Sequence, residues 1–278
     1  MGATDEGDTN LTPEPSATVA PLVWKGQEVA ACVRTLPEET PVALVYDGST
    51  EAVMMATPAD LEDFAIGFSL TDGLIRTPDE IRQLEIVVSP EGVEARMWLK
   101  ADRSREVAQR RRSRAGPTGC GLCGIESLEE AGRLRVLNPS AGALCLDPQQ
   151  VRDAMESLEG AQPLGRMTRA VHAAGFWGPE SGLIAVREDV GRHNALDKLA
   201  GALARLGVDT SCGVVVLTSR VSVEMVQKTA ALGAPILVAI SAPTALAVRT
   251  ADRAGITLVA VARADGFEVF SHPRRINF

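Results

Sequence analysis

The chain has 278 residues, 45% hydrophobic and 23% charged, enough to build a full apolar core in one large or two modest domains. Its 36 acidic and 28 basic side chains give a net charge of −8, which argues against nucleic-acid binding by the surface at large. Five cysteines, odd in number and irregularly spaced, exclude a secreted disulfide framework and point to a reducing cytoplasm, and no apolar run reaches the ~18 residues of a membrane helix.

Residues 1–20 carry Asp5, Glu6, Asp8 and Glu14, no Lys or Arg and no apolar block. They lack the marks of a signal peptide and read as a disordered acidic tail. Residues 21–135 read as a smaller N-terminal α+β part. Pro41–Tyr46 and Glu51–Ala56 flank Asp47-Gly48-Ser49 as a hairpin. Thr57-Pro58-Ala59-Asp60 has the form of a helix start with Thr57 as N-cap, followed by Leu61, Phe64, Ala65 and Phe68 at helical spacing and by Gly73 as a stop. Thr77 to Glu80 repeats the capping pattern, and Ile86–Val88 and Val93–Leu99 read as strands. Residues 136–278 form the C-terminal α/β part. A helix at about Asn194–Leu206 precedes three continuous apolar runs, Gly213–Leu217, Pro235–Ile240 and Ile256–Val261, with helices Ser222–Leu232 and Thr244–Ala254 between them. Continuous apolar strands alternating with helices predict a parallel β-α-β-α-β sheet buried on both faces. The two parts are expected to act as one cooperative catalytic unit.

Thr118-Gly119-Cys120-Gly121-Leu122-Cys123-Gly124 is the densest chemical signal. Two cysteines three apart can bring their sulfurs to one point, and the glycines let the backbone bend around them. Basic side chains upstream (Arg96, Lys100, Arg103, Arg105, Arg110, Arg111, Arg112 and Arg114, against Asp102 and Glu106) and a helix start at Ile125–Ala131 would both favour a reactive thiolate. The basic segment suits a polyanion such as a pyrophosphate, or is a solvated helix face. CxxC is also half of a structural zinc site or a thioredoxin-like redox pair, and these readings stay open. Cys32, Cys145 and Cys212, single among apolar neighbours, read as core residues. A zinc-deaminase site is disfavoured, because His172, His193 and His272 all follow the cysteines, whereas that motif needs its histidine before them. Glu188–Lys198 (EDVGRHNALDK) is rich in ionisable groups at a strand-to-helix turn, and it reads either as a site or as helix capping. Leu217–Arg220 and Ile240–Thr244 end strands with hydroxyls and can face an anion.

Six segments together resemble the formate dehydrogenase accessory sulfurtransferases, the FdhD family. They are Pro41–Gly48 (PVALVYDG), Val53–Ile75, Thr118–Glu126 (TGCGLCGIE), Glu188–Lys198, Thr218–Thr229 (TSRVSVEMVQKT) and His272–Arg275 (HPRR). The resemblance implies a cytidine-deaminase-like fold and a homodimer. It implies a sulfurtransferase that takes persulfide sulfur from a cysteine desulfurase and passes it to the molybdenum cofactor, Mo-bis(molybdopterin guanine dinucleotide), so that apo formate dehydrogenase becomes active. The cofactor is then a bound substrate, with no permanently bound metal. The sulfur-carrying cysteine corresponds to Cys120 with Cys123 as its partner, and the cofactor-contacting loop corresponds to Val261, Ala262, Arg263, Ala264, Asp265 and Gly266. The alternatives are a CxxC redox protein and a non-catalytic cofactor-binding chaperone.

Overall fold

Three runs of aliphatic residues, Val214–Leu217 (β11), Ile236–Ala239 (β12) and Thr257–Arg263 (β13), form the parallel centre of the C-terminal part in a computed structural model that describes residues 12–109 and 144–278 and the backbone of 110–114. Alternate side chains leave a strand on opposite faces. Val215, Leu217, Leu237, Ala239 and Leu258 therefore enter one core with helices Arg192–Leu206 (α5), Val223–Leu232 (α6) and Ala245–Ala254 (α7). Val214, Val216, Ile236, Val238 and Val259 enter another, with helix Pro148–Gly160 (α3) through Val151, Ala154 and Leu158. The β-α-β-α-β pattern is thus observed, with α6 and α7 as its crossovers. Strands His172–Gly178 (β9), Gly182–Asp189 (β10) and Gly266–Ser271 (β14) extend the sheet antiparallel on both sides, in the order β10-β9-β11-β12-β13-β14.

The N-terminal part is a four-stranded sheet, β6-β5-β8-β7, made from Thr40–Tyr46 (β5), Ser49–Ala56 (β6), Ile81–Ser89 (β7) and Gly92–Leu99 (β8). Two antiparallel hairpins meet along a parallel β5–β8 seam, and helices Leu61–Thr71 (α1) and Ala101–Arg114 (α2) belong with it. Two expectations are corrected here. The first helix begins at Leu61 with Asp60, not Thr57, at its N-cap, because Thr57 is buried and its polar groups bond elsewhere. The capping pattern at Thr77 opens only a single 3₁₀ turn, Pro78–Glu80.

The disordered tail expected over residues 1–20 is corrected for its last part. Residues 16–19 form strand β1 (Ser16–Val19) and pair with β4 (Arg34–Pro37), while β2 (Leu22–Lys25) pairs with β3 (Glu28–Ala31). The result is a long two-stranded ribbon, and residues 1–11 lie outside the described residues.

The two parts are joined where α1 crosses α5. A Cβ at Gly67 would collide with the Asp197 carbonyl, and one at Gly201 with the Asp63 carbonyl, so each glycine lets one helix backbone rest on the other. Gly201→Ala is expected to cost about 1–3 kcal/mol through overpacking, read as a lower denaturant midpoint at unchanged slope.

Candidate functional site

Cys120, Cys123 and the helix start expected at Ile125–Ala131 lie outside the described residues. The basic segment before them is described in part, and there each cation meets a carboxylate. Arg96 Nε lies 2.7 Å from Glu94 and Lys100 Nζ 2.6 Å from Asp79, Arg103 pairs with Glu106, and Arg105 pairs with Asp102. Arg103 also donates to the carbonyls of Gly73 and Leu74, each at 2.5 Å. This stretch fastens α2 to the end of α1, and its exposed pairs add little stability of their own.

The segment Glu188–Lys198 divides into two functions. Its buried half is a clamp. Asp189 and Lys198 are both fully buried and lie 2.6 Å apart, and Lys198 Nζ also donates to the Thr57 carbonyl at 2.8 Å. The Asp189 carboxylate accepts from the Thr57, Gly191 and Asn194 nitrogens at 2.9, 2.7 and 3.0 Å. The Thr57 hydroxyl in turn accepts from Val190 N at 3.1 Å, and Asn194 donates to the Met55 carbonyl at 2.8 Å. Burial pushes the Lys198 ammonium below the usual lysine range, against the pull of Asp189. Around this pair, Asp197 holds Lys228 at 2.6 Å and Thr71 at 2.5 Å, and Asp63 holds Arg187 at 2.5 Å and Arg205 at 2.8 Å. Glu188 accepts from Leu164 N and Gly165 N at the start of helix Pro163–Thr168 (α4). The contacts to Met55, Thr57, Asp63 and Thr71 hold the two parts of the fold together, whereas Glu188 braces α4 within the C-terminal part.

The other half faces the carboxyl edge of the sheet. Arg192 and His193 open α5, whose N-cap is Gly191 and which has no side-chain cap. β9 begins beside them, because His172 pairs with Asp189 in the β9–β10 register. Thr218, at the end of β11, bonds to Ala173 through both N–H and hydroxyl, which brings Ser219 and Arg220 to the same edge. Arg192 Nε and His193 Nε2 are buried with no hydrogen-bond partner, and Glu224 Oε2 on α6 stands 4.0 Å from His193 Nε2. Burial, Arg192 and Arg220 hold the His172 imidazole below its ordinary range, and burial, Arg192 and Lys228 do the same to His193. His172 carries no motif of its own, and only strand pairing reveals that it belongs here.

Val261–Gly266 takes a different form from the expected loop. β13 continues to Arg263, Arg263 pairs with Gly266, and Ala264-Asp265 make the turn into β14. The segment is the tip of a β-hairpin, irregular between Ala260 and Arg263, with Val261 at φ 52°. That region is unfavourable for a β-branched residue, so the tip is held in a strained shape. Val261 N reaches the Ser241 carbonyl at 3.4 Å, which joins the ends of β12 and β13, while Arg263, Ala264 and Asp265 are exposed. The edge therefore gathers the ends of β11, β12 and β13, where ligands of open parallel sheets bind.

His272–Arg275 serves the fold. His272 Nε2 lies 2.8 Å from the Asp252 carbonyl, and Arg275 donates to the Gly255 carbonyl at 3.0 Å, both at the C-terminal end of α7. Cys145 and Cys212 are exposed rather than in the core: Cys145 lies at the chain's return to the sheet, and Cys212 lies in a 3₁₀ turn capped by Asp209. Among the described residues no helix is long and apolar enough to cross a membrane.

Comparison with known proteins places these residues in a wider set. The family model described as FdhD/NarQ matches residues 37–277. A protein of Agrobacterium fabrum named Sulfur carrier protein FdhD is 56% identical over 243 residues, which cover 87% of this chain and 89% of its own. One of the same name from Cupriavidus necator is 47% identical over 264 residues, covering 95% of this chain and 91% of its own. A crystal structure of "a putative formate dehydrogenase accessory protein from Desulfotalea psychrophila" superposes with a TM-score of 0.72 at 27% identity, covering 94% of this chain and 99% of the other.

Proposed function

The chain belongs to the FdhD/NarQ family, and on that footing we propose that it is a cytoplasmic, homodimeric sulfurtransferase serving formate dehydrogenase. The observation that carries the reading is the 56% identity to a protein named as a sulfur carrier, spread over most of both chains. In this reading the Cys120 thiolate attacks the outer sulfur of a cysteine desulfurase persulfide. A new S–S bond forms on Cys120, the donor's S–S bond breaks, and the donor cysteine leaves as thiolate. The substrate that receives this sulfur is Mo-bis(molybdopterin guanine dinucleotide), held at the carboxyl edge of the sheet with its guanine against the hairpin tip Val261–Gly266. Delivery as sulfide needs two electrons. The Cys123 thiolate supplies them by attacking Cys120 sulfur, so that a Cys120–Cys123 disulfide forms as sulfide leaves, and an external thiol then reduces that disulfide. The strained tip and the exposed Arg263 support a ligand role for this segment.

Incubation with a cysteine desulfurase and cysteine, followed by intact mass measurement, tests the reading. The expected result is a gain of one or more sulfur atoms that a reductant removes and that Cys120→Ala lacks. A protein that instead gains zinc, or cycles a disulfide without ever gaining sulfur, is not a carrier.

A further inference from the structure

We propose that two copies of the chain meet through the N-terminal ribbon, with its outward face packed against the same face of the second copy. The inference rests on the homodimer in the reading above and gives it an interface. The two ladders of the ribbon keep one register. Val19 stands opposite Arg34 and Leu22 opposite Ala31, and Cys32 N bonds to the Pro21 carbonyl between them. Side chains of a strand alternate between faces, so each residue of the ladders belongs to one of two faces. One face carries all the charge, Lys25, Glu28 and Arg34, together with the half-buried Pro21, Val23 and Cys32. The other carries no charged residue. It presents Leu22, Trp24, Val29 and Val33, which are 75%, 71%, 63% and 78% exposed, with Ala31 among them. A sheet that covers its own core does the reverse and turns its apolar side inward. Single exposed aliphatics are ordinary, but four large apolar side chains along one uncharged face mark an interface. β4 rests against α4, whereas β2 and β3 pair with each other and with no other strand among the described residues. A two-stranded hairpin is marginal in water by itself, and packing on a second layer supplies what it lacks.

A second copy is the occupant that fits. The chain carries a net charge of −8, so copies repel each other unless their contact is free of charge. This face meets that condition, and a two-fold axis brings the same face to it from the partner. Trp24 stands opposite Val29, and Leu22 opposite Ala31, so a bulky ring lies diagonal to a small side chain. In a two-fold contact each ring can seat over the alanine of the other copy. Residues 16–25 and 28–37 make the face about 33 Å long, and it supplies roughly half of the ~800 Å² that a standard interface takes from each partner. The ribbon ends where the family match begins, at residue 37, so substitutions on this face leave the matched residues untouched.

Sedimentation velocity of the full chain over a micromolar concentration series tests the contact. Wild type should be a dimer, and the double variant Trp24→Ser, Val29→Ser should raise the dimer dissociation constant about 100-fold with its circular dichroism unchanged. Amide exchange of wild type over residues 16–37 should slow as the dimer forms, which keeps the test informative if the variant fails to fold. A wild type that stays monomeric overturns both the contact and the homodimer. A dimer that the double substitution leaves intact, or ribbon amides whose exchange ignores concentration, overturns the contact and leaves the homodimer standing. A variant that remains dimeric but no longer activates formate dehydrogenase assigns the face to another protein and likewise overturns the proposal.

Discussion

Cys120→Ala is expected to abolish activation of formate dehydrogenase in cells while leaving the melting temperature unchanged. A carrier needs a thiolate that can attack a donor persulfide, hold the outer sulfur and present it to a metal without steric cover. Cys120 stands between Gly119 and Gly121 and follows the basic segment more closely than Cys123 does. Removing its sulfur removes the atom that forms the new bond, so the loss is complete rather than graded. Cys123→Ala should impair activation less, since an external thiol can supply the electrons that Cys123 otherwise provides. Exchanged phenotypes would reverse the two roles. Full activity in both single variants would end the carrier mechanism. Cys145→Ala and Cys212→Ala, both at exposed positions, should stay within about 0.5 kcal/mol of wild type and retain activity.

The second large effect is expected at Lys198, in the buried clamp. Lys198→Met leaves the Asp189 carboxylate fully buried without its counter-charge, which should destabilise the fold by about 3–5 kcal/mol. Asp189→Asn should cost less, because the stranded ammonium can shed its proton. Burial already holds the Lys198 pKa below 10.5, and loss of Asp189 removes an interaction that opposes the shift. Between the folded pKa and 10.5 the unfolded chain binds more protons than the folded one, so stability of this variant should rise with pH across that window. Urea midpoints at neutral and alkaline pH measure it. A Lys198→Met protein as stable as wild type would mean the clamp does not join the two parts.

The centre of the fold was legible because β11, β12 and β13 are buried on both faces and spell it in unbroken aliphatic runs. α7 announced its start as well, with Thr244 accepting from Ala247 N. β9 (HAAGFWG) was not legible, since alanine and glycine show no hydrophobic period. The reason for glycine there is distant: a Cβ at Gly175 would press on Leu158 and Val216 at 3.0 Å. Thr57 was misread for a similar reason. A Thr-Pro pair before an apolar periodic run is the local signature of a helix start, but its true partner Asp189 is 132 positions away. The segment Glu188–Lys198 stands out in the sequence for its charges. Its division between a buried clamp and an open edge depends on which side chains face the first part of the chain, and no spacing rule encodes that.

The order of strands in the larger sheet also bears on how the chain is assembled during translation. After the β9–β10 hairpin, each later strand joins the exposed edge left by its predecessor, β11 on β9, then β12, β13 and β14, so the sheet can grow as the chain emerges without threading back. One closure has to wait. Leu146 N bonds to the Arg275 carbonyl at 2.9 Å and Asn277 N to the Leu146 carbonyl at 2.8 Å, and the neighbouring Cys145 thiol reaches the Arg274 carbonyl 129 positions away. Until that late segment leaves the ribosome, Leu146 lacks its backbone partners Arg275 and Asn277. The chain entering α3 is thus fastened to the C-terminal segment only after the carboxyl edge of the sheet has formed.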